Sequence, residues 1–287
     1  MLTLANQMIY IVIPVFNRWH FTKACIDQLR LQSHTAFKIV VVDDGSTDGT
    51  AQFLATDYPE VTVLKGNGSL WWTGGINMGI RYALQKKADY VLSLNNDTLP
   101  KKKYLEQLMA ASRKKPGALI GSTGVDTTTG NINYCGEQII WWSDAAKPLK
   151  NKIDPKSKGQ LLPVSYFPGR GLLIPRKVFE AIGLFDQAAF PHYMADYDFT
   201  FRAIKAGFTI FCSVDAQLGT YPEASGANEL MAKKTWKNYM EHLFGMRGAA
   251  NLKYYFTYVS RHCPWYLLPI SATIGTGKRL ISYWVKK

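Results

Sequence analysis

The chain has 287 residues, which is enough for one large α/β domain and a smaller appendage. Hydrophobic residues make up 47% of the sequence and charged residues 19%, a balance that excludes a disordered chain and favours a sizeable core. The formal net charge of +13 indicates an anionic partner, such as nucleic acid, nucleotide phosphates or an acidic membrane surface.

The order of apolar and amphipathic segments predicts the fold class. Continuous apolar, β-branched runs predict buried strands at residues 8–15, 38–42, 61–64 and 89–94. Helices are predicted between them, at residues 19–31, from about residue 48 and at residues 76–87. Strands that alternate with helices imply right-handed βαβ units and a mostly parallel sheet, so we predict an α/β fold.

The rest of the chain is less regular. Residues 126–158 are polar and rich in turn residues, which predicts a loop-rich insertion. The elements predicted after it are an apolar strand, two helices and a short strand, at residues 172–174, 176–182, 196–206 and 209–212. From about residue 232 the pattern is helical and aromatic. We therefore expect a main domain at residues 1–228 and a helical segment at residues 229–287.

Cysteine usage and hydropathy favour a cytoplasmic protein. The cysteines are widely spaced, show no metal-ligand pattern and are expected to be free thiols: Cys25, Cys135, Cys212 and Cys263. The N-terminus lacks the basic start and apolar core of a signal peptide. No uncharged apolar run reaches the roughly 18 residues that a membrane-spanning helix needs.

Acidic residues follow two of the predicted strands. Asp43 and Asp44 come after the second strand, and Asp97 comes after the fourth. Ligands of open α/β sheets bind beyond the carboxyl ends of the strands. These residues therefore indicate a ligand site at that edge of the sheet.

Five motifs carry a resemblance to a known family. In chain order they read IPVFN (13–17), VVDDGSTDGT (41–50), LNNDT (94–98), GRGLLIPRKVFEAIGLFD (169–186) and ADYDFTFRAIKAGF (195–208). Together they resemble the family-2 inverting glycosyltransferases, and within them bacterial rhamnosyltransferase-type enzymes of surface-polysaccharide assembly. The resemblance covers roughly residues 8–225 and implies the GT-A fold, Rossmann-like with a mostly parallel sheet flanked by helices, followed here by a C-terminal helical extension.

The resemblance implies a site for a nucleoside-diphosphate sugar donor. In the family, the segment that matches Pro14 to Phe16 lines the nucleotide base, and we include Asn17 in this pocket. The acid that matches Asp44 hydrogen-bonds the base, with Asp43 beside it. The alternative interpretation is that Asp43 and Asp44 only form a turn and cap.

The same resemblance implies a site for Mg²⁺ or Mn²⁺. Asn95, Asn96 and Asp97 stand where the family carries its DXD motif, and Asp97 matches the acid that ligates the metal. A divalent ion would neutralise the diphosphate leaving group. The first acid of the motif is Asn95 here, and the family's histidine after the catalytic helix is absent, Thr220 lying nearest its position. A strand-end Asn/Asp turn is the alternative.

Asp196 aligns with the family's general base, which takes the proton of the attacking acceptor hydroxyl. Asp198 is expected to have a supporting role through Arg202, four residues further along the same helix. The alternative is that both acids only complement the helix N-terminus.

Two glycine-rich segments complete the expected cleft. Residues 67–79 resemble the family's stretch beside the donor, and Asn77 is the predicted donor contact. Trp71 and Trp72 stack on base or sugar, or pack in the core. Arg170, between two glycines, is a candidate phosphate ligand.

The last segment mixes aromatic with basic residues. It suits the inner face of the cell membrane, where a peripheral enzyme would meet a lipid-linked acceptor, and equally a helical cap or homodimer contact.

The predicted function is metal-dependent transfer of a sugar from dTDP-rhamnose or a UDP-sugar to a bacterial surface glycan or lipid-linked acceptor. A sugar-nucleotide nucleotidyltransferase would need a Gly-rich basic loop after the first strand, and IPVFNRWH is not one. A basic nucleic-acid-binding module leaves the strand-end acids unexplained, so no nucleic-acid partner is expected.

Overall fold

The computed structural model describes residues 7–154, 156–221 and 234–285. The expected domain boundary between residues 228 and 229 lies outside these ranges. The described residues form a ten-stranded mixed sheet, a small two-stranded sheet and flanking helices.

Four parallel strands form one half of the central sheet. They are β1 (Ile9–Val15), β2 (Phe37–Asp43), β3 (Thr62–Lys65) and β4 (Tyr90–Ser93), in the spatial order β4–β1–β2–β3. Val12 and Val40 belong to one buried cluster, whereas Ile11 and Val41 belong to another. Neighbouring residues of a strand point to opposite faces. Both faces of β1 and β2 are therefore buried, which explains their uninterrupted apolar sequences.

Three helices connect these strands: α1 (Trp19–Arg30), α2 (Thr50–Asp57) and α3 (Trp71–Gln85). Helix α3 begins at Trp71 rather than near residue 76, because the Asp44 carboxylate accepts hydrogen bonds from the N–H groups of Leu70 and Trp71. An anionic acceptor at this end stabilises the first turn. Gly75 lets the helix approach β1, since a Cβ there would lie 3.0 Å from Cβ of Pro14.

The second half of the sheet is mixed. Its elements are β5 (Thr98–Pro100), α4 (Tyr104–Lys114), β6 (Leu119–Asp126), β7 (Ile132–Tyr134), β10 (Leu161–Pro163), β11 (Leu172–Pro175), α5 (Arg176–Ile182), α6 (Ala195–Lys205) and β12 (Ile210–Thr220). Strand β11 lies antiparallel between β4 and β6, and β12 runs parallel to β6. Because β11 returns beside β4, the segment that precedes it lies at the carboxyl end of β4.

The polar insertion contains more regular structure than the sequence predicted. Strands β8 (Glu137–Ile140) and β9 (Ala145–Pro148) form a separate hairpin, and two short 3₁₀ helices lie at Trp141–Ser143 and Lys150–Lys152. Helix α4 and strand β6, which precede this insertion, were not predicted from the sequence.

The C-terminal part contains the helices α7 (Trp236–Phe244), α8 (Leu252–His262) and α9 (Leu268–Val285). Helix α8 packs against α6, and α9 packs against both α7 and α8. The predicted helical extension is thus confirmed. Among the described residues, no helix combines the length and the apolarity that crossing a membrane requires.

Candidate functional site

The loops after β1 and β2 are bonded to each other at the edge of the sheet. Asn17 donates its backbone N–H to Ser46 Oγ at 2.7 Å, and its Oδ1 accepts the backbone N–H of Thr47 at 2.8 Å. Phe16, beside it, is 56% exposed, and Pro14 packs beneath α3. Pro14, Phe16 and Asn17 therefore lie at the carboxyl end of β1, where the resemblance predicts the base pocket. Their contact with a base stays a prediction.

Both acids at the end of β2, Asp43 and Asp44, are buried and accept hydrogen bonds from backbone N–H groups. Asp43 Oδ1 accepts the N–H of Ser46 at 2.9 Å. Asp44 accepts the N–H groups of Gly68 and Leu70, each at 2.8 Å, and of Trp71 at 3.2 Å. Asp43 thus forms the turn that the alternative interpretation expected. Asp44 holds the glycine-rich loop and the start of α3, which the sequence did not indicate.

The three side chains after β4 point to different partners. Asn95 Oδ1 accepts the indole N–H of Trp72 at 3.0 Å, and Asn96 Nδ2 donates to Thr22 Oγ1 at 3.0 Å. The Asp97 carboxylate lies 3.8 Å from the guanidinium of Arg18. The protein thus holds both amides, while the carboxylate of Asp97 lies beside a cation.

Two opposing effects act on the pKa of Asp97. Burial raises it, while the charges of Arg18 and Arg170 act in the opposite direction. Arg170 comes from the segment before β11, so that segment lies within electrostatic reach of the carboxyl end of β4.

Asp196 stands in the first turn of α6, with both carboxylate oxygens held by backbone. Oδ2 accepts the N–H of Gly169 at 2.9 Å and Oδ1 that of Tyr197 at 2.9 Å. Burial raises the pKa of Asp196, opposed by these N–H groups and by the charge of Arg170. The charge of Arg170 thus opposes the rise in pKa at both Asp97 and Asp196. A raised carboxyl pKa is typical of a catalytic base.

Trp72 lies between the segments that carry Asp97 and Asp196. Its indole N–H reaches Asn95, and its ring lies so close to Gly169 that any Cβ there would collide with it. Ser93 Oγ donates a hydrogen bond to the carbonyl of Gly169, and the ring of Phe185 meets Trp72 edge-on at 5.6 Å. The glycine-rich loop that is bonded to Asp44 is followed directly by Trp71 and Trp72. The segments of Asp44, Asp97 and Asp196 thus belong to one continuous set of contacts.

Asn77 lies elsewhere. Its side chain is 3% exposed, donates to the carbonyl of Phe185 at 2.9 Å and accepts the N–H of Phe185 at 3.1 Å. The prediction of a donor contact is not supported, because both ends of the amide are committed to a buried backbone segment. Its role is to fix α3 against the loop after α5.

Two features of the site were not predicted from the sequence. Arg18, directly after IPVFN, lies beside Asp97, and its position next to the motif was the available signal. His192, shortly before Asp196, packs on Trp71 with ring centroids 5.5 Å apart. Burial, together with the charge of Arg247, lowers the pKa of His192 to about 4.

Backbone strain is concentrated around the same edge. Asn17, Arg18, Trp71 and Met194 have φ values of 57°, 63°, 55° and 69°, a region that non-glycine residues seldom adopt. Such residues occur at sites where the surrounding structure holds a required geometry.

Asp198, two residues after Asp196, is fully buried and has a different set of partners. Arg202 donates to it at 2.8 Å, which confirms the predicted contact, and His262 and Arg261 of α8 reach it at 2.9 and 3.2 Å. Burial alone would raise the pKa of Asp198, but the hydrogen bonds from His262 and Arg202 and their charges hold it at about 2. Asp198 thus joins α6 to the C-terminal helices.

Asp97 is the candidate metal ligand of this site. Among the described residues, no three His, Cys, Asp or Glu side chains gather closely enough to hold an ion. Thr220, nearest the missing family histidine, is buried and bonded to Asn133. Asp97 is a hard oxygen ligand, and Mg²⁺ commonly needs only one or two carboxylates when phosphates supply other ligands. The donor set therefore fits an ion that binds together with a diphosphate.

Comparison with known proteins gives consistent matches. Residues 10–183 match the family described as Glycosyl transferase family 2. An uncharacterized glycosyltransferase of Rickettsia typhi is 28% identical over 215 residues, covering 72% of this chain and 61% of that protein. The N-acetylglucosaminyl-diphospho-decaprenol L-rhamnosyltransferase of Mycobacterium tuberculosis is 24% identical over 283 residues, covering 89% of this chain and 85% of that protein.

Among solved structures, S. aureus TarS is similar with a TM-score of 0.54 and 15% identity, covering 90% of this chain and 44% of that chain. The chain thus spans 61% of the rickettsial relative and less than half of TarS. At this identity the structural likeness concerns the fold, and it confirms the predicted GT-A class.

Proposed function

Because the chain belongs to glycosyl transferase family 2, we propose that it moves a sugar from a nucleoside-diphosphate sugar to a bacterial surface glycan or lipid-linked acceptor. Inversion of the anomeric carbon is general to the family, and family membership excludes the non-enzymatic binding module and the nucleotidyltransferase. The observation that carries the proposal is a path of contacts between the two acidic segments. The indole N–H of Trp72 bonds Asn95 at 3.0 Å, the Trp72 ring lies against Gly169, and the N–H of Gly169 bonds Asp196 at 2.9 Å.

The name of the mycobacterial relative supports a donor and an acceptor. It specifies rhamnosyl transfer to a diphospholipid-linked sugar, so dTDP-rhamnose is our first candidate donor and a UDP-sugar the second. A lipid-linked acceptor would place the enzyme peripherally on the inner face of the cell membrane.

The proposed chemistry uses a single carboxylate. As the acceptor oxygen forms a bond to the anomeric carbon, the bond from that carbon to the diphosphate breaks and the hydroxyl proton passes to Asp196. The N–H groups of Gly169 and Tyr197 hold both oxygens of the carboxylate, which fixes the orientation of the base. Its raised pKa makes it a stronger proton acceptor than an exposed aspartate.

The diphosphate would meet positive charge from two segments. Arg18 and Arg170 both lie within electrostatic reach of Asp97, and a guanidinium suits phosphate oxygens. Asp97 would hold Mg²⁺ or Mn²⁺, which would supply charge neutralisation of the leaving diphosphate. Asn95 and Asn96 would support this strand end through Trp72 and Thr22.

The donor class is tested by thermal unfolding with UDP, dTDP and GDP, each with Mn²⁺ or with a chelator. We expect one nucleotide to stabilise the protein in the presence of metal, by about 2.7 kcal/mol at a hundredfold excess over its Kd. Asp97→Asn should remove the metal dependence while leaving the unliganded protein folded. Indifference to all three nucleotides would contradict the proposal.

Trp71 is our candidate platform for the acceptor sugar. Unlike Trp72, its indole makes no hydrogen bond within the described residues, and the ring is partly exposed beside His192. The Nδ1 atom of His192 is buried and has no hydrogen-bond partner in the described part of the chain, so it can bond a sugar hydroxyl.

We expect Trp71→Ala to raise the KM for the acceptor about tenfold, the loss of one aromatic contact, with the KM for the donor unchanged. Initial rates at varied acceptor and donor measure this. Trp142→Ala, at a tryptophan that is 64% exposed and outside the cleft, is the matched control. A higher KM for the donor alone would assign Trp71 to the other substrate.

A further inference from the structure

Helix α9 exposes an apolar stripe to solvent. Ile270, Ile274, Ile281 and Trp284 recur at helical spacing and are 50%, 36%, 60% and 49% exposed. The buried residues of the helix, Ser271, Gly275 and Tyr283, lie on its opposite side. The side of the helix that packs on the protein therefore includes small and polar residues, whereas the side that faces solvent is apolar.

Aromatic side chains extend the stripe at both ends. Trp265 and Tyr266, just before α9, are 83% and 63% exposed. At the other end, Trp284 contacts Tyr239 at 5.3 Å between ring centroids, and Tyr239 contacts the exposed Trp236 at the same distance. Tryptophan and tyrosine are enriched where an apolar surface meets lipid headgroups.

The part of the chain that carries the stripe is predominantly basic, although Asp144 and Asp186 from outside it pair with Arg279 and Arg261. Within residues 234–285 the only acidic residue is Glu241. The exposed basic residues of this part are Lys234, Lys237, Arg247, Lys253, Arg261 and Lys278. Anionic lipid headgroups attract such a surface, whereas a second copy of the same face would repel it.

We infer that the stripe of α9 inserts into the headgroup region of an anionic bilayer, with the helix lying along the surface. An apolar face flanked by cations and aromatic residues is the arrangement of interfacial helices. The inference rests on the proposed lipid-linked acceptor. The C-terminal helices are also joined to the helix that carries Asp196, because Arg261 and His262 of α8 bind Asp198. Binding to a bilayer would therefore position α6 relative to the membrane.

The test is flotation of the full chain with vesicles. We expect it to float with an equal mixture of phosphatidylglycerol and phosphatidylcholine, and to float poorly with phosphatidylcholine alone. The double variant Ile274→Asp/Ile281→Asp should lower the bound fraction about tenfold or more, since it exchanges inserted apolar groups for anions. Leu31→Asp, at an equally exposed leucine after α1, should float as the parent does.

Transfer to a water-soluble acceptor is measured in parallel. The double variant should keep this activity, so loss of flotation with retained transfer separates the membrane contact from the proposed function. Unchanged flotation of the double variant would overturn the inference. So would light scattering that shows a parent dimer which the double variant disperses, because the stripe would then be a subunit interface.

Discussion

Asp196→Asn is expected to lower the rate of sugar transfer by about 10²–10⁴-fold, the usual contribution of one positioned base. The amide has no proton affinity near neutral pH and cannot take the proton of the acceptor hydroxyl. Donor binding should persist, because the groups assigned to the diphosphate, Arg18, Arg170 and Asp97, are unchanged. Single-turnover rates and nucleotide titrations of the same preparation measure the two effects separately.

The variant also changes the local hydrogen bonds. Both oxygens of Asp196 accept backbone N–H groups, and the amide retains one acceptor, so one N–H loses its partner at a cost of about 1–3 kcal/mol. Asp215→Asn controls for the exchange of a carboxylate for an amide, since Asp215 Oδ2 accepts the backbone N–H of Gly159 at 2.7 Å and the amide oxygen can keep that bond. Full turnover in Asp196→Asn would remove this residue from the role of base.

The pH profile gives an independent check on the base. Because the pKa of Asp196 is raised, transfer by the parent should fall on the acid side at a pH above the ordinary titration of aspartate. The residual activity of Asp196→Asn should not show this fall at acidic pH. If the substitution only distorted the structure, the rate would fall by the same factor at every pH.

The strands that carry the site were predictable because both faces of the sheet are buried. Residues 8–15 and 38–42 were predicted where β1 and β2 occur, and helix α5 has the predicted bounds. Chain order alone does not reveal that β11 returns antiparallel beside β4, which brings Gly169 and Arg170 to the end of β4. The motifs therefore singled out Asp97, Arg170 and Asp196, but not the contacts of Trp72 and Gly169 that join their segments.

Asn77 shows why a motif position can mislead. The glycine-rich segment does reach Asn95 and Gly169 through Trp72, but its Asn77 side chain bonds to Phe185, 108 positions away in the chain. A buried amide needs hydrogen-bond partners, and nothing in the local sequence indicates which distant backbone supplies them. For the same reason, the bonds from Asp44 to Gly68 and Leu70 became visible only in the fold.

Asp198→Ala is expected to lower the free energy of unfolding by about 3–5 kcal/mol, the usual effect of removing one partner from a buried ionic group. Its carboxylate is fully buried and joins Arg202 to His262 and Arg261, so the change leaves several donors without an acceptor. Lys23→Ala breaks the exposed Lys23–Asp27 pair, which has the same helical spacing, and should leave the free energy of unfolding nearly unchanged. Urea titration measures both.

The pH dependence of this stability follows from the pKa of Asp198. The folded protein holds it at about 2 against an ordinary 3.8, so the carboxylate stabilises the fold above the ordinary value and loses that contribution as the pH falls toward 2. The shift corresponds to about 2 kcal/mol. The difference in stability between parent and Asp198→Ala should therefore shrink on acidification. A constant difference from neutral pH to pH 2 would show that Asp198 acts through packing and that its charge does not join α6 to α8.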